Sequence, residues 1–179
     1  MTPVRLVATR DLTPGELHTI RALCDAAWPN GHFGDDDWDH ALGGMHAVYA
    51  DDGEVVAHGS VVPRMLRADG VDVRTGYVEA VATLPGRQRR GFGSAVMRAL
   101  TEHVDATYAL GALCTGVEPT FYERLGWRLW DGPTSVVVDG VVRRTPEENG
   151  TVMVRFTPSS PSLDPSHPIS CDWRAGDVW

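Results

Sequence analysis

The sequence of 179 residues predicts a mixed α/β fold of the α+β type. Three features carry this prediction: short apolar segments bounded by turn sequences, helical segments with recognisable caps, and a glycine-bearing turn that joins an apolar segment to an amphipathic one. The predicted element order is β-α-α-β-β-β-α-β-α-β-β. At this length one hydrophobic core suffices, so we expect a single domain over residues 1–179.

The first strand is expected at residues 4–7, and a helix follows it. Thr13 suits the N-cap of that helix, Pro14 its first helical position and Glu16 the closing position of a capping box. Apolar residues then recur at helical spacing. A second, short helix is expected within residues 35–44, because aspartates open it and glycines end it.

Three strands joined by hairpin turns come next. We expect the strands at residues 45–50, 54–65 and 71–84. The turns Asp51-Asp52-Gly53 and Ala68-Asp69-Gly70 contain the aspartate-glycine pair that favours a tight hairpin.

The second half of the chain continues the alternation of strands and helices. We expect, in order, a helix at 93–104, a strand at 108–114, a short helix at 118–127 and strands at 128–138 and 151–156. Residues 158–179 are rich in proline and serine but carry two tryptophans. A disordered segment rarely does, so we expect a docked C-terminal tail.

The charge of the protein narrows its possible partners. The formal net charge is −8 and the pI is about 5.2. Nucleic acid is therefore a poor candidate partner, and a polycationic small molecule is a better one. The alternative is that the acidity serves solubility alone.

The cellular location and the metal content can be addressed from composition. No apolar run is long enough for a membrane span, and no secretory signal is apparent at the N-terminus. The cysteines are odd in number (three) and form no C-x-x-C pair, which favours a reduced, cytoplasmic protein. The seven histidines do not cluster with cysteines, so we expect no metal.

The most informative stretch is residues 76–97, where an apolar strand runs into a basic turn and then a helix. Free backbone N–H groups and the positive helix end meet at such a turn and suit a pyrophosphate. Glycines there permit close approach of the ligand, and Arg87, Arg89 and Arg90 add positive charge. The alternative is a plain strand-to-helix turn.

Two motifs resemble the GCN5-related N-acetyltransferase (GNAT) superfamily. One is Gln88-x-x-Gly91-x-Gly93, which resembles its acetyl-CoA signature, and the other is Tyr122-x-x-x-Gly126-Trp127. The resemblance implies a mixed sheet of about seven strands, splayed between the fourth and fifth and flanked by about four helices. Acetyl-CoA would lie in the opening. The alternative for Tyr122 is a half-buried helix aromatic.

Further blocks are similar to the actinobacterial aminoglycoside 2′-N-acetyltransferases. They are residues 37–47, 76–79, 132–135, 144–152 and the terminal Cys171-Asp172-Trp173-Arg174-Ala175-Gly176-Asp177-Val178-Trp179. The resemblance implies direct acetyl transfer, in a ternary complex, to the 2′-amine of drugs such as gentamicin, tobramycin and kanamycin B, and hence antibiotic resistance. It also implies a homodimer, with the late strands from Arg128 onward as interface material.

The same resemblance assigns binding residues by position. Coenzyme binding falls on Val81, Ala82, Thr83, Gln88, Arg89, Arg90, Gly91, Phe92 and Gly93. Acceptor binding falls on His32, Asp37, Glu79, Ala80, Cys114, Glu148, Asp177 and Trp179. His32, Cys114 and Glu148 depart from the residue types expected at their positions. Trp38, Trp173 and Trp179 could cover sugar rings, although core packing is the other reading for Trp38.

Four residues are assigned to the chemistry. Glu79 is the candidate general base that deprotonates the amine, and Trp179 belongs near the same amine. The backbone N–H of Val81 would stabilise the oxyanion, and Tyr122 would protonate the thiolate. The alternative for Glu79 is an exposed strand carboxylate. Two other functions stay open: acetylation of a polyamine, cell-wall amino sugar or protein amine, and a non-catalytic acyl-CoA-binding module.

Overall fold

The computed structural model describes residues 4–29, 32–115 and 119–179. Contacts group the chain into two compact units. The first unit comprises the described residues up to Val62 together with Val78–His103. The second comprises Pro63–Tyr77 and the described residues from Val104 onward.

The described residues form four α-helices and ten strands. In chain order they are β1 Arg5–Ala8, α1 Pro14–Ala27, α2 Asp35–Ala41, β2 Met45–Asp51, β3 Glu54–Ala68, β4 Val71–Thr83, α3 Phe92–Thr107, β5 Leu110–Cys114, α4 Pro119–Glu123, β6 Arg128–Leu129, β7 Thr134–Val138, β8 Val141–Arg144, β9 Val152–Phe156 and β10 Ile169–Asp172. The elements β3, β4 and α3 contribute residues to both units.

In the first unit, α1 begins as the sequence predicts. The Glu16 amide donates to Thr13 Oγ1 over 3.3 Å, and the Thr13 amide donates to Glu16 Oε2 over 2.8 Å. Two of the otherwise unpaired N-terminal donors are thereby satisfied. The helix ends with Trp28 as its C-cap. Residues 30 and 31, which were expected to end this helix, lie outside the described residues. Glu118, the predicted first residue of the short helix α4, lies outside them as well.

Antiparallel pairs build the sheet of the first unit. β1 pairs with β2, and β2 pairs with β3 from Met45–Val61 to Asp51–Glu54. The predicted turn between β2 and β3 is present, with positive φ at Asp52 (51°) and Gly53 (82°), as a mirror-image hairpin turn requires. Beside this sheet lies a core cluster of Leu12, Ile20, Leu23, Cys24, Phe33, Val48 and Ala82. Trp38 packs against that cluster.

In the second unit the strand order is β6-β9-β5-β4-β3-β10-β7-β8. β4 and β5 run parallel and pair from Thr75–Leu110 to Tyr77–Ala112, whereas β9 is antiparallel to β5. The tail strand β10 lies between β3 and β7, antiparallel to the first and parallel to the second. None of the helices in the described part of the chain is long and apolar enough to cross a membrane.

The prediction of one continuous strand over residues 128–138 is wrong, because the chain leaves the ladder near Gly132. The Asp131 and Gly132 amides both donate to the Pro165 carbonyl, over 3.1 and 2.8 Å. A Cβ on Gly132 would lie 1.9 Å from the His167 carbonyl oxygen. The segment therefore splits into β6, which pairs with β9, and β7, which pairs with β8 and β10. β8 and β10 were not predicted as strands. With them and the division of residues 128–138, the described residues form ten strands instead of the predicted seven or so.

Candidate functional site

The turn after β4 presents free backbone amides at the start of α3. The first hydrogen bond into the helix runs from the Ala95 amide to the Gly91 carbonyl over 2.9 Å. The amides of residues 92–94 precede it, and N–H groups at this position of a helix have no intrahelical acceptor. Positive φ at Arg89 (60°) and Gly91 (88°) makes the turn tight. The segment assigned to the coenzyme can thus bind an anion through its main chain.

The arginines of this turn have different partners. Arg89 and Arg90 are exposed. Arg87, in contrast, donates to Asp51 Oδ2 over 3.2 Å and to Glu54 Oε2 over 2.8 Å. Both carboxylates belong to the β2–β3 hairpin and offset the charge of the guanidinium. Arg87 therefore ties the turn to the hairpin, and its charge near a bound anion stays a prediction.

The β4 segment that carries the candidate base is irregular. Ala80 has a φ of +50°, in the left-handed region that residues with a Cβ rarely adopt. Its carbonyl oxygen lies 3.0 Å from His58 Nδ1, and Ser60 Oγ lies 3.5 Å from the Glu79 carbonyl oxygen. Side chains of β3 thus face two successive carbonyl groups of β4. The Glu79 and Val81 side chains on either side are half-buried.

The remaining residues assigned to the coenzyme, on β4 and in the turn after it, differ in their exposure and in their contacts. Ala82 is buried in the core cluster, so only its backbone is available to a ligand. Thr83 is half-buried and ends β4. Gln88 is exposed in the turn, while Phe92 stacks at a tilt on Tyr49, with ring centroids 4.9 Å apart.

Two of the residues predicted to bind the acceptor substrate belong to the first unit and lie in or just before α2. Asp37 Oδ2 accepts a hydrogen bond of 2.7 Å from the Gly34 amide, so one of its carboxylate oxygens caps the helix. His32 is exposed in the turn before α2. Asp37 therefore has a structural task that the sequence reading did not foresee.

The second unit brings several predicted acceptor residues together. Cys114 Sγ lies 3.5 Å from Glu148 Oε2 and 3.2 Å from Thr151 Oγ1. Thr151 Oγ1 lies 2.9 Å from the same Glu148 oxygen. Burial raises the pKa of Cys114 to about 12, and the carboxylates of Glu148 and Asp177 act in the same direction. Cys114, Glu148 and Asp177 thus share one electrostatic environment.

Tyr122 belongs to this same group. Burial, and to a smaller extent the neighbouring Cys114, raise the pKa of its phenol to about 12. The phenol is therefore protonated throughout the neutral range, as a proton donor must be. Thr151, which the sequence reading missed, lies inside the 144–152 block that carried the family resemblance, and that block was the available signal.

The tail that ends in Trp179 is held by two arginines. Arg64 Nη2 donates to the carbonyls of Asp172 (3.1 Å) and Val178 (2.9 Å). Arg174 Nε donates to the Asp177 carbonyl over 2.8 Å. These bonds fix the loop that carries Asp177.

The tryptophans differ in accessibility. Trp179 is 4% exposed, and its Nε1 donates to Thr145 Oγ1 over 3.1 Å. Trp173 is 59% exposed, whereas Trp38 packs on the core cluster of the first unit. Within the described ranges, no group of three or more histidine, cysteine or acidic side chains is arranged to hold a metal ion.

Comparison with known proteins gives consistent matches. A family profile described as an acetyltransferase (GNAT) domain matches residues 8–130. The aminoglycoside 2′-N-acetyltransferase of Mycolicibacterium fortuitum is 41% identical over 178 residues, which cover 98% of this chain and 91% of that protein.

Solved structures share the fold. The GNAT family N-acetyltransferase YhbS from Escherichia coli, in complex with CoA, superposes with a TM-score of 0.66 at 15% identity, covering 94% of this chain and 89% of that one. A GNAT family acetyltransferase from Brucella melitensis, in complex with acetyl-CoA, gives 0.59 at 18% identity, covering 92% and 95%. The predicted fold class is confirmed.

Proposed function

Because the chain belongs to the GNAT family of acetyltransferases, we propose that it transfers an acetyl group from acetyl-CoA to the 2′-amine of aminoglycoside antibiotics. The observation that carries this proposal is the likeness, over nearly the whole chain, to an aminoglycoside 2′-N-acetyltransferase. The grouping of Cys114, Glu148 and Asp177 near Tyr122 supports it, because three of these four residues are assigned to the acceptor.

The donor is acetyl-CoA. The amides before Ala95 and the exposed Arg89 and Arg90 suit the pyrophosphate, since main-chain N–H groups and guanidinium groups both bind phosphate oxygens. The β4 backbone from Val81 to Thr83 provides further polar groups for the pantetheine arm.

The acceptor is a polycation, and carboxylates are its natural partners. Glu148 and Asp177 offer charge-assisted hydrogen bonds to ammonium groups, and Trp179 lies on the same tail as Asp177. Asp37, His32 and the backbone at Ala80 complete the assigned contacts. Modification of a 2′-amine removes a positive charge from the drug and thereby confers resistance.

The reaction is a direct transfer in a ternary complex. Glu79 takes a proton from the 2′-ammonium, directly or through one water, and the freed amine attacks the thioester carbonyl. The Val81 amide stabilises the oxyanion. As the C–S bond breaks, Tyr122 gives its proton to the thiolate of CoA, and its pKa of about 12 keeps that proton available. The attacking nitrogen releases its second proton to the Tyr122 phenolate, which leaves a neutral amide and restores the phenol.

A drug panel tests the acceptor. With acetyl-CoA, we expect CoA release with gentamicin, tobramycin and kanamycin B, which carry a 2′-amine. Kanamycin A and amikacin carry a 2′-hydroxyl at that position and should be poor acceptors. Intact acetyl-CoA after incubation with every 2′-amino drug at high enzyme concentration would refute the proposal. Faster turnover of a polyamine would instead assign a different amine.

Glu79→Gln tests the base. We expect kcat to fall by about a hundredfold or more at neutral pH, in line with the usual contribution of a general base. The deficit should shrink as pH rises, because the amine then loses its proton without help. Acetyl-CoA affinity, measured by calorimetry, should be unchanged. The control is Glu102→Gln, an exposed carboxylate on α3, and equal rates for the two variants would remove Glu79 from this role.

We further propose a homodimer that uses β8. This strand ends the strand order, and all of its residues are exposed, with Val141 at 57% and Val142 at 65%. The free edge of such a strand presents unpaired backbone groups that can pair with another copy, and its two exposed valines add apolar surface. Val142→Lys should give a monomer in light scattering, whereas the control Val71→Lys, at another exposed valine, should stay dimeric. A monomeric wild type contradicts the dimer.

Two broader expectations belong to the same proposal. The whole of residues 1–179 acts as one acetyltransferase domain, with residues 158–179 as its docked tail. The cytoplasm is the proposed location, and the free thiols of Cys24, Cys114 and Cys171 support it, because a reducing compartment keeps thiols unpaired.

A further inference from the structure

A chain of hydrogen bonds runs through the interior of the first unit and ends on the irregular residue of β4. Thr9 Oγ1 lies 2.8 Å from His46 Nε2, and His46 Nδ1 lies 2.9 Å from His58 Nε2. His58 Nδ1 lies 3.0 Å from the Ala80 carbonyl oxygen. Both histidines are completely buried, at 0% exposure.

The Ala80 carbonyl at the end of this series of hydrogen bonds determines which nitrogen of each imidazole carries the hydrogen. The Ala80 carbonyl can only accept, so His58 Nδ1 carries the hydrogen, and Nε2 of a neutral ring is then an acceptor. His46 must therefore donate from Nδ1 and accept at Nε2. The hydroxyl hydrogen of Thr9 completes the chain.

Thr9 is itself held by the main chain. Its Oγ1 accepts from the amides of Gly43 (2.9 Å) and Gly44 (3.2 Å), which close the loop before β2. With both histidines neutral, each link has one donor and one acceptor. A proton added to His58 would set its Nε2–H against the Nδ1–H of His46. A proton added to His46 would turn the Thr9 hydroxyl away to its other acceptor, the Gly44 carbonyl at 3.2 Å. Burial lowers the pKa of His46 to about 4 and of His58 to about 3, which keeps both rings neutral.

The residue at the end of the chain is strained. A left-handed alanine is energetically unfavourable and persists only where its surroundings impose it. At Ala80 the surroundings include the His58 bond and a place against the core cluster. A strand residue in this conformation also changes the direction of the backbone on both of its sides.

We propose that the His46–His58 pair is a positioning device that holds Ala80 in its left-handed conformation. The backbone directions on the two sides of Ala80 determine the orientations of the Glu79 side chain and the Val81 amide. These two groups are the base and the oxyanion donor of the proposed function, and this inference rests on that function. The two histidines touch no reacting atom and exchange no proton with substrate.

The tautomers of the wild-type rings test the proposal without any assay of activity. Nitrogen-15 NMR of the imidazoles should show His46 and His58 as neutral Nδ1–H forms. Neither ring should titrate between about pH 8 and pH 6, where an ordinary histidine does. An Nε2–H form in either ring, or titration in this range, would overturn the proposal.

Substitutions at His58 test the effect on the reaction. His58→Leu removes the donor to Ala80, so kcat should fall by about tenfold to a hundredfold, as for a small misplacement of reacting groups. Hydrogen exchange at residues 79–83 should speed up. His58→Asn keeps an N–H near the position of Nδ1 and should recover much of the loss in both measurements. The exposed His18→Leu on α1 is the control.

The outcomes separate this inference from the proposed function. A folded His58→Leu variant with wild-type kcat and wild-type exchange at residues 79–83 overturns the positioning role even if aminoglycosides are acetylated. Failure of wild-type protein to acetylate any drug refutes the function, while the NMR and exchange results still decide the role of the histidines. If His58→Leu does not fold, the wild-type tautomers decide it.

Discussion

At the scale of single residues, Cys114 shows how surroundings set chemistry. The reactive form of cysteine is the thiolate, and its abundance is set by the thiol pKa. Burial raises the pKa of Cys114 and of Cys24 to about 12, and burial also raises the pKa of Cys171. The three cysteines of the chain should therefore be inert thiols near neutral pH.

We expect native protein at about pH 8 to react slowly with Ellman's reagent at all three cysteines. The rate should increase with pH, because the thiolate fraction grows towards a pKa of about 12. In guanidinium chloride, three equivalents should react quickly. Stopped-flow absorbance measures both traces. Rapid reaction of one full equivalent in the native state would contradict the protection of these thiols by burial. Slow reaction also means that the reagent can report CoA release with little background.

The charge of Arg87 was evident from the sequence, but its partners were not. Its proximity in sequence to Arg89 and Arg90 predicts that it lies near a bound anion. Its actual partners, Asp51 and Glu54, lie more than thirty positions earlier and come into reach only when β2 and β3 form their hairpin. Long-range ion pairs of this kind depend on strand register, which composition does not specify.

At the scale of elements, the sequence predicts those features that depend on neighbouring residues, but it does not predict those that depend on contacts between distant segments. The start of α1 was correct in detail because Thr13, Pro14 and Glu16 lie within four consecutive positions. The interruption near Gly132 depends on carbonyls of residues 165 and 167, contributed by the tail. β10 escaped notice because its neighbours β3 and β7, rather than its own composition, make it a strand.

Two glycines make a matched pair of element-scale tests. A Cβ on Gly15, in the first turn of α1, would have nothing within 4 Å, so Gly15→Ala should stabilise the protein by about 0.5–1 kcal/mol. A Cβ on Gly132 would lie 1.9 Å from a backbone oxygen, so Gly132→Ala should destabilise by about 2–3 kcal/mol. Urea unfolding followed by circular dichroism measures both. Equal midpoints for Gly132→Ala and wild type would show that the tail does not press on this turn.

At the scale of the whole molecule, the net charge of −8 becomes meaningful together with the family. An acidic protein could be acidic for solubility alone, and composition left that open. The chain has 24 acidic and 16 basic residues. In a GNAT enzyme similar to an aminoglycoside acetyltransferase, this negative charge can attract a polycationic acceptor. Long-range attraction raises the local concentration of a cation and speeds its encounter with the protein.

Salt separates this steering from specific contacts. Added sodium chloride shortens the Debye length from about 10 Å at 0.1 M to about 3 Å at 1 M, so attraction from distant carboxylates is screened. Over that range we expect KM for tobramycin to rise by about tenfold, because several ammonium groups feel the field. KM for glucosamine, a monocation whose single amine is on C2 of a sugar ring, should rise much less. Initial rates at saturating acetyl-CoA measure both. Parallel salt dependences for the polycation and the monocation would mean that the acidity serves solubility and takes no part in acceptor capture.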